Sequence, residues 1–329
     1  MSSSWSGAQA DLVRNDEGEG RVAIEGWLHL DFAQSLFDIN GLGYQSLKAA
    51  AAQPGFKAVE LPNTELSGKV VQSITKGTSN NVAGIVEGSL NPDEFVLLTA
   101  HWDHIGVKPG EGDTIYNGAV DNATGTAAVL EIAEKLANDR PERSALVLAV
   151  TLEESGLLGS AYYAENPLVP LKKTIAGINI DAMLPSGPSK DMVIIGYGAS
   201  ELEDHLKEVL VKQDRVIIPD AKPEAGFFYR SDHISLAKKG VPMLYADGGI
   251  DLVEGGPAAG IEFAGDYTVN RYHAPSDEYS EDWDLSGMVM DVTALYEVAL
   301  GVMNSDEMVE WYDGNEFKAI REASLAEAN

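Results

Sequence analysis

FVLLTAHWDH, residues 95–104, begins with an uncharged, almost wholly apolar run, Phe95–Ala100, between Pro92 and His101. A run that short, apolar at every position, reads as a strand buried on both faces. The polar residues after it, His101-Trp102-Asp103-His104, then fall at the carboxyl end of a central strand. In open α/β sheets that is where sites form.

Working outward, the pattern repeats. A helix is expected over about Ala123–Ala137, with Val129, Ile132, Ala133 and Leu136 on one face. Ser144–Leu152 (SALVLAVTL) reads as a second buried strand, and a short helix follows Gly159. Ile175–Ile180, Met192–Gly196 and Pro242–Tyr245 read as further strands. Leu202–Gln213, Ser231–Lys239 and Leu285–Met303 read as helices, the last with Met288, Val292, Leu295, Ala299 and Val302 at 3–4 spacing. Toward the N-terminus, Lys69–Thr75 and Asn81–Glu87 suggest a hairpin around Lys76–Asn80. Residues 53–68 read as irregular, Ala33–Ala52 as helix interrupted by Gly41 and Gly43, and Val22–His29 as a short strand. Residues 1–20 read as a polar tail or loop. Strands alternating with helices predict an α/β fold: three layers, α/β/α, around a central mixed, mostly parallel β-sheet.

The 329 residues give a prior of two domains. With 52 acidic against 23 basic residues, the formal net charge is -29. Such a surplus speaks against a nucleic-acid surface and against attachment to an anionic membrane. Cysteine is absent, which excludes disulfides, thiolate zinc sites, iron–sulfur clusters and a cysteine nucleophile. The longest apolar runs, such as Ala145–Val150, fall far short of the ~18 residues of a membrane span. MSSSWSGAQADLVRNDEGEG, residues 1–20, has neither the basic nor the apolar region of a signal peptide.

Each strand end carries an oxygen or imidazole donor: His101 and Asp103 after Phe95–Ala100, Glu153-Glu154 after Ser144–Leu152, Asp181 after Ile175–Ile180. Asp121-Asn122 precedes a helix, and His273 lies late in the chain. Histidine and carboxylate without thiolate suit zinc, manganese or cobalt. Asp121 as a bridge, His101 and Asp181 on one ion, and Glu154 and His273 on the other satisfy the count for two metals. Two divalent ions against three carboxylates leave one net positive charge to polarise a water and a carbonyl. Glu153 points away from Glu154 along a strand and is left as general base. Asp103 is placed to hydrogen-bond a ligand imidazole. Asp121-Asn122 also fits a helix cap, and His29, His104 and His205 read as ordinary packed or surface histidines.

The ordered segments TAHWDHIG (99–106), NGAVDNATG (117–125), LEESGLLGS (152–160), NIDAM (179–183), YRSDHISLAKKGVP (229–242) and RYHAPSDEY (271–279) resemble the co-catalytic di-zinc aminopeptidases. That group includes bacterial leucyl aminopeptidases and aminopeptidase Y-like enzymes. The resemblance spans about residues 65–305. It implies a zinc-peptidase (phosphorylase/hydrolase-like) fold and two Zn2+ per chain, with Mn2+ or Co2+ as possible substitutes. His101, Asp121, Glu154, Asp181 and His273 would be ligands and Glu153 the base. It also implies a cis peptide at Asp121-Asn122, substrates with a free N-terminus, and a periplasmic or secreted location. Tyr229 lies where the family places substrate-contacting groups, a candidate to stabilise the tetrahedral oxyanion; the alternative is an aromatic packed beside Phe227 and Phe228. Asp232 and His233 read as capping and supporting the next helix. Residues 1–64 resemble the end of a protease-associated domain, its beginning missing, which leaves 65–329 as the peptidase domain. The competing functions are a carboxypeptidase or dipeptidase of the same fold, a glutaminyl cyclase, and a non-catalytic binding module. Cyclases of this fold work with one zinc, and binding modules lose ligands or the base.

Overall fold

The computed structural model describes residues 8–14, 22, 24 and 26–326. The chain divides into two compact units, Met1–Thr78 and Ser79–Asn329. Among its described residues the first holds two helices, α1 (Leu30–Ile39) and α2 (Tyr44–Ala51), broken at the glycines that the sequence marks. Phe37 meets Tyr44 edge to face at 5.4 Å across the break. Asn40 ties this turn to residues 63–64, accepting from the Asn63 N–H and donating to Thr64 Oγ1. The described positions of the expected strand Val22–His29 are not in a strand; residues 23 and 25, and most of residues 1–20, lie outside the description.

The second unit is built on a seven-stranded sheet. Its strands are β1 (Val82–Val86), β2 (Asn91–His101), β5 (Arg143–Val150), β6 (Thr174–Asn179), β7 (Asp191–Ile194), β8 (Val216–Pro219) and β9 (Met243–Gly248), in the spatial order β1-β5-β2-β6-β9-β7-β8. β5, β2, β6 and β9 run parallel, while β1 and β7 each pair antiparallel with a neighbour. A two-stranded ribbon, β3 (Gly106–Val107) and β4 (Ile115–Tyr116), stands apart. The sheet is thus mixed and mostly parallel, as expected. The hairpin is not: Lys69–Thr75 forms no strand, and β1 pairs with β5 from Val82↔Ala149 to Val86↔Ala145. The five-residue Lys76–Asn80 link lacks the two-residue turn that fixes hairpin register, so pairing with the edge of the central sheet prevails over the local signal.

The two faces of β2 show why its Phe95–Ala100 stretch is apolar on both sides. Val96, Leu98 and Ala100 pack with α3 (Gly125–Asp139), α5 (Leu202–Lys212) and α8 (Ser286–Met303). Phe95 and Leu97 pack on the opposite side with α4 (Leu158–Glu165), α6 (His233–Ala237) and the C-terminal Trp311 and Phe317. Both layers exclude water from the sheet, so alternation is lost. α8 is long and apolar enough to cross a bilayer by length and composition, although polar residues such as Asp291 and Glu297 interrupt it. Here its Ala294, Leu295, Val298, Ala299 and Val302 are buried in the main core, and its buried Asp291 pairs with Arg215. Two further helices, α7 (Gly256–Asn270) and α9 (Lys318–Ala326), complete the unit.

Candidate metal centre

His101 ends β2 with its side chain 1% exposed. Its Nδ1 lies 3.0 Å from the main-chain carbonyl of Asp103, to which it donates. With Nδ1 so engaged, Nε2 is the ring nitrogen that faces the site. It points at two carboxylates, Asp121 Oδ1 at 3.2 Å and Asp181 Oδ1 at 3.1 Å. The Asp103 carboxylate itself does something other than the sequence suggests. It accepts from the main-chain N–H groups of Glu153 and Glu154, at 3.1 and 3.3 Å, while its Oδ1 is 3.9 Å from the imidazole. Parallel β2 and β5 end side by side, so an aspartate two residues past one strand reaches the amides past the other.

Asp121 sits in an irregular helical turn, Ala119–Thr124, that precedes α3, and its peptide bond to Asn122 is cis. Asp277 reaches in from the far end of the chain and accepts from the Val120 and Asp121 N–H groups at 3.0 and 3.1 Å. Asn122 ties the turn to the end of β6. Its amide donates to the Ile180 carbonyl, and its Oδ1 accepts from Ala182 N and Gly125 N. The cap reading and the ligand reading are therefore compatible: Asn122 caps α3, and the Asp121 carboxylate stays free. At Gly125 a Cβ would stand 2.3 Å from Asn122 Oδ1 and 2.4 Å from the Ile180 carbonyl, so only glycine permits this approach.

His273 arrives from the loop after α7 in a left-handed conformation (φ 57°). Its Nε2 lies 3.2 Å from Asp121 Oδ2 and 3.1 Å from Glu154 Oε2. Asp121 thus presents Oδ1 to His101 and Oδ2 to His273, and the Nε2 atoms of these two histidines also face Asp181 and Glu154 respectively. Asp181 is oriented by Ser231, whose hydroxyl donates to Oδ2 at 2.6 Å and accepts from Asn179 at 2.8 Å. Glu153 offers an oxygen to the cluster of His101 and Asp181. Burial and then Asp181 push its carboxyl well above the ordinary range. Burial opposes a charge on His273, but Asp121 and Glu154 outweigh it and raise it to about 9. The same balance, through Asp181 and Asp121, raises His101.

This donor set fits divalent metal. Asp121, Glu153, Glu154 and Asp181 converge on imidazoles alone, with no lysine or arginine pairing with them among the described residues. Buried carboxylates without cations are costly. Imidazole nitrogens and carboxylate oxygens converging on one place are the donors that a divalent cation takes.

The six residues His101, Asp121, Glu153, Glu154, Asp181 and His273 are brought together; Tyr229 is not. It is 55% exposed, and its hydroxyl donates to Glu316 at 2.8 Å. It lines a separate depression of about 560 Å³ with Tyr197, Phe228 and Glu316. The tyrosine beside the centre is Tyr272, stacked on His273 at 3.9 Å. Burial, then the charges of Asp121 and Glu154, raise its hydroxyl far above the ordinary value. Adjacency in Arg271-Tyr272-His273 is the signal that would have found it. His104, read as ordinary, places Nδ1 2.6 Å from Glu154 Oε1. Asp232 makes no cap bond to α6; it is fully buried beneath the centre and raised to about 7 by burial. His233 is held neutral by burial, lowered to about 3, between Phe228 and Tyr245.

A sequence model of Peptidase family M28 matches residues 81–296. Aminopeptidase NAALADL1 of Mus musculus is 34% identical over 141 residues, which are 39% of this chain and 17% of that protein. The probable glutamate carboxypeptidase LAMP1 of Arabidopsis thaliana is 28% identical over 214 residues, 61% of this chain and 28% of that one. The match therefore spans less than a third of these relatives. Among solved structures, BSAP, a zinc aminopeptidase from Bacillus subtilis, superposes with a TM-score of 0.52 at 19% identity, covering 69% of this chain and 51% of that chain. This likeness supports the fold.

Proposed function

This chain belongs to peptidase family M28, and from that premise we propose that it is a zinc-dependent aminopeptidase that holds two ions and cleaves residues from peptides with a free N-terminus. The observation that carries the two-ion reading is the Asp121 carboxylate, shared between His101 with Asp181 and His273 with Glu154. When bound, the ions supply polarisation of the scissile carbonyl and activation of the attacking water. The protein does the rest. Glu153, the one convergent carboxylate outside the five-ligand set, takes the proton of that water and passes it to the leaving amine. Asp103 fixes the main chain of both glutamates, Asn122 holds the Asp121 turn against Asp181, and Ser231 aims Asp181. The relatives include both an aminopeptidase, in mouse, and a probable glutamate carboxypeptidase, in Arabidopsis thaliana; the higher identity to the first, 34% against 28%, supports release from the N-terminus.

The test is a metal count together with an assay on leucine and alanine p-nitroanilides. Two zinc ions per chain and release that stops on chelation and returns with zinc are the expected results. A zinc-loaded protein that releases no aminoacyl group but trims peptides from the C-terminus would replace this reading with a carboxypeptidase. A finer expectation concerns the tyrosines. With its ring against His273 and its hydroxyl near the carboxylates, Tyr272 is the donor available to a developing oxyanion. Tyr272→Phe should lower kcat ~10²-fold with KM little changed, the usual cost of one such donor. Tyr229→Phe should lower it less than ~3-fold by the same principle. The reverse order of effects would return the role to Tyr229.

A further inference from the structure

We propose that His104 is a positioning residue for the second metal ion: it holds Glu154 by Oε1 so that Oε2 is presented to the cation shared with Asp121 and His273. The inference rests on the two-ion reading above. His104 Nδ1 lies 2.6 Å from Glu154 Oε1, with the two side chains 7% and 9% exposed. Neither atom meets hydrogen-bond geometry with any partner, and His104 Nε2 has none either. A buried imidazole and a buried carboxylate oxygen thus face each other at contact distance, with a carboxylate oxygen of Asp121 within 4.8 Å.

The contact is short but not aligned as a hydrogen bond; its closeness and its burial are what bear on Glu154. The main chain of Glu154 is already fixed by Asp103, and Oε2 already lies 3.1 Å from His273 Nε2. Holding Oε1 removes the remaining freedom of the carboxylate, its rotation about the last side-chain bond. The imidazole has its own support. Gly118 adopts a left-handed φ of 64°, and a Cβ there would stand 2.6 Å from His104 Cγ, so the main chain backs the ring directly. His273 meets the same ring edge to face at 5.7 Å. His104 thus fills the space behind the second group of donors, as Asp103 does behind the first. Partners that orient a metal ligand are typically worth about 10–100-fold in metal affinity.

The test uses the full chain, stripped of metal and titrated with zinc by calorimetry against a competing chelator. His104→Phe keeps the ring volume and removes the donor. His104→Asn keeps an N–H near the place of Nδ1. The parent is expected to take two zinc ions. His104→Phe should bind the first as the parent does and the second about 10–100-fold more weakly. His104→Asn should recover most of that loss, and the metal-free forms should melt alike. Unchanged affinity for the second ion in His104→Phe overturns the proposal. So does equal loss in both variants, which would mark the imidazole as a ligand or a structural prop. A parent that takes fewer than two ions refutes the two-ion reading itself and the proposal with it. A parent that takes two ions, with His104→Phe holding the second as tightly as the parent does, refutes the proposal alone.

Discussion

Glu153→Gln should keep both zinc ions and lose turnover by at least ~10²-fold, toward the upper end of what general acid–base catalysis contributes. Glutamine matches glutamate in shape and matches the neutral form that burial and Asp181 favour in the protein alone. Nothing in the support of the site depends on a Glu153 charge: Asp103 grips its amide, and the turn that follows closes on its carbonyl through Gly156 and Leu157. The loss should fall on kcat, because the amide cannot accept the water proton, with KM held near the parent value. Zinc analysis beside steady-state kinetics checks both halves. Parent-like turnover would remove Glu153 as the base, and loss of zinc would make it a ligand.

Asp121→Ala should do more damage by a different route. Each oxygen of this carboxylate faces a separate histidine–carboxylate pair, so one truncation deprives both groups at once. Metal content should fall below one ion per chain at micromolar zinc. Turnover should fall at least ~10³-fold, about 4 kcal/mol of activation free energy. Asp181→Ala, by contrast, removes a donor from one group only, and the metal count separates the two variants. Two zinc ions retained in Asp121→Ala would end the case for a bridge.

How much of this the sequence carries follows from where each contact partner lies. β2, β5 and β6 are buried on both faces, so their apolar runs are unmistakable, and the donors after them are found by position alone. Asp121 and His273 lie in irregular segments, so they enter through the donor count that two ions require, and the family resemblance implies the same residues. α7 escapes the pattern because GPAAGIEFAGDYTVN has three glycines and no apolar stripe; only Gly260 and Tyr267 are buried in it. β8 escapes because it is four residues long and ends at Pro219. Asp277 supports the Asp121 turn from 156 residues away, and no local pattern encodes that meeting. Tyr229 and Tyr272 are chemically alike; only the fold shows that the first spends its hydroxyl on Glu316, 87 residues off, while the second lies on His273. His104 was passed over because its partner is set by the end of β5, not by its own neighbours.

The donors come from five stretches that meet only when the sheet is complete. Bound ions are therefore cross-links between distant parts of the chain, closing loops as a disulfide framework would in a protein that has no cysteine. They bind the folded state and have no preassembled place in the unfolded one, so they draw the folding equilibrium toward the native form as their concentration rises. On the proposed two-ion reading, zinc supply is expected to set the lifetime of the protein as well as its activity, and thermal unfolding with and without zinc reads it.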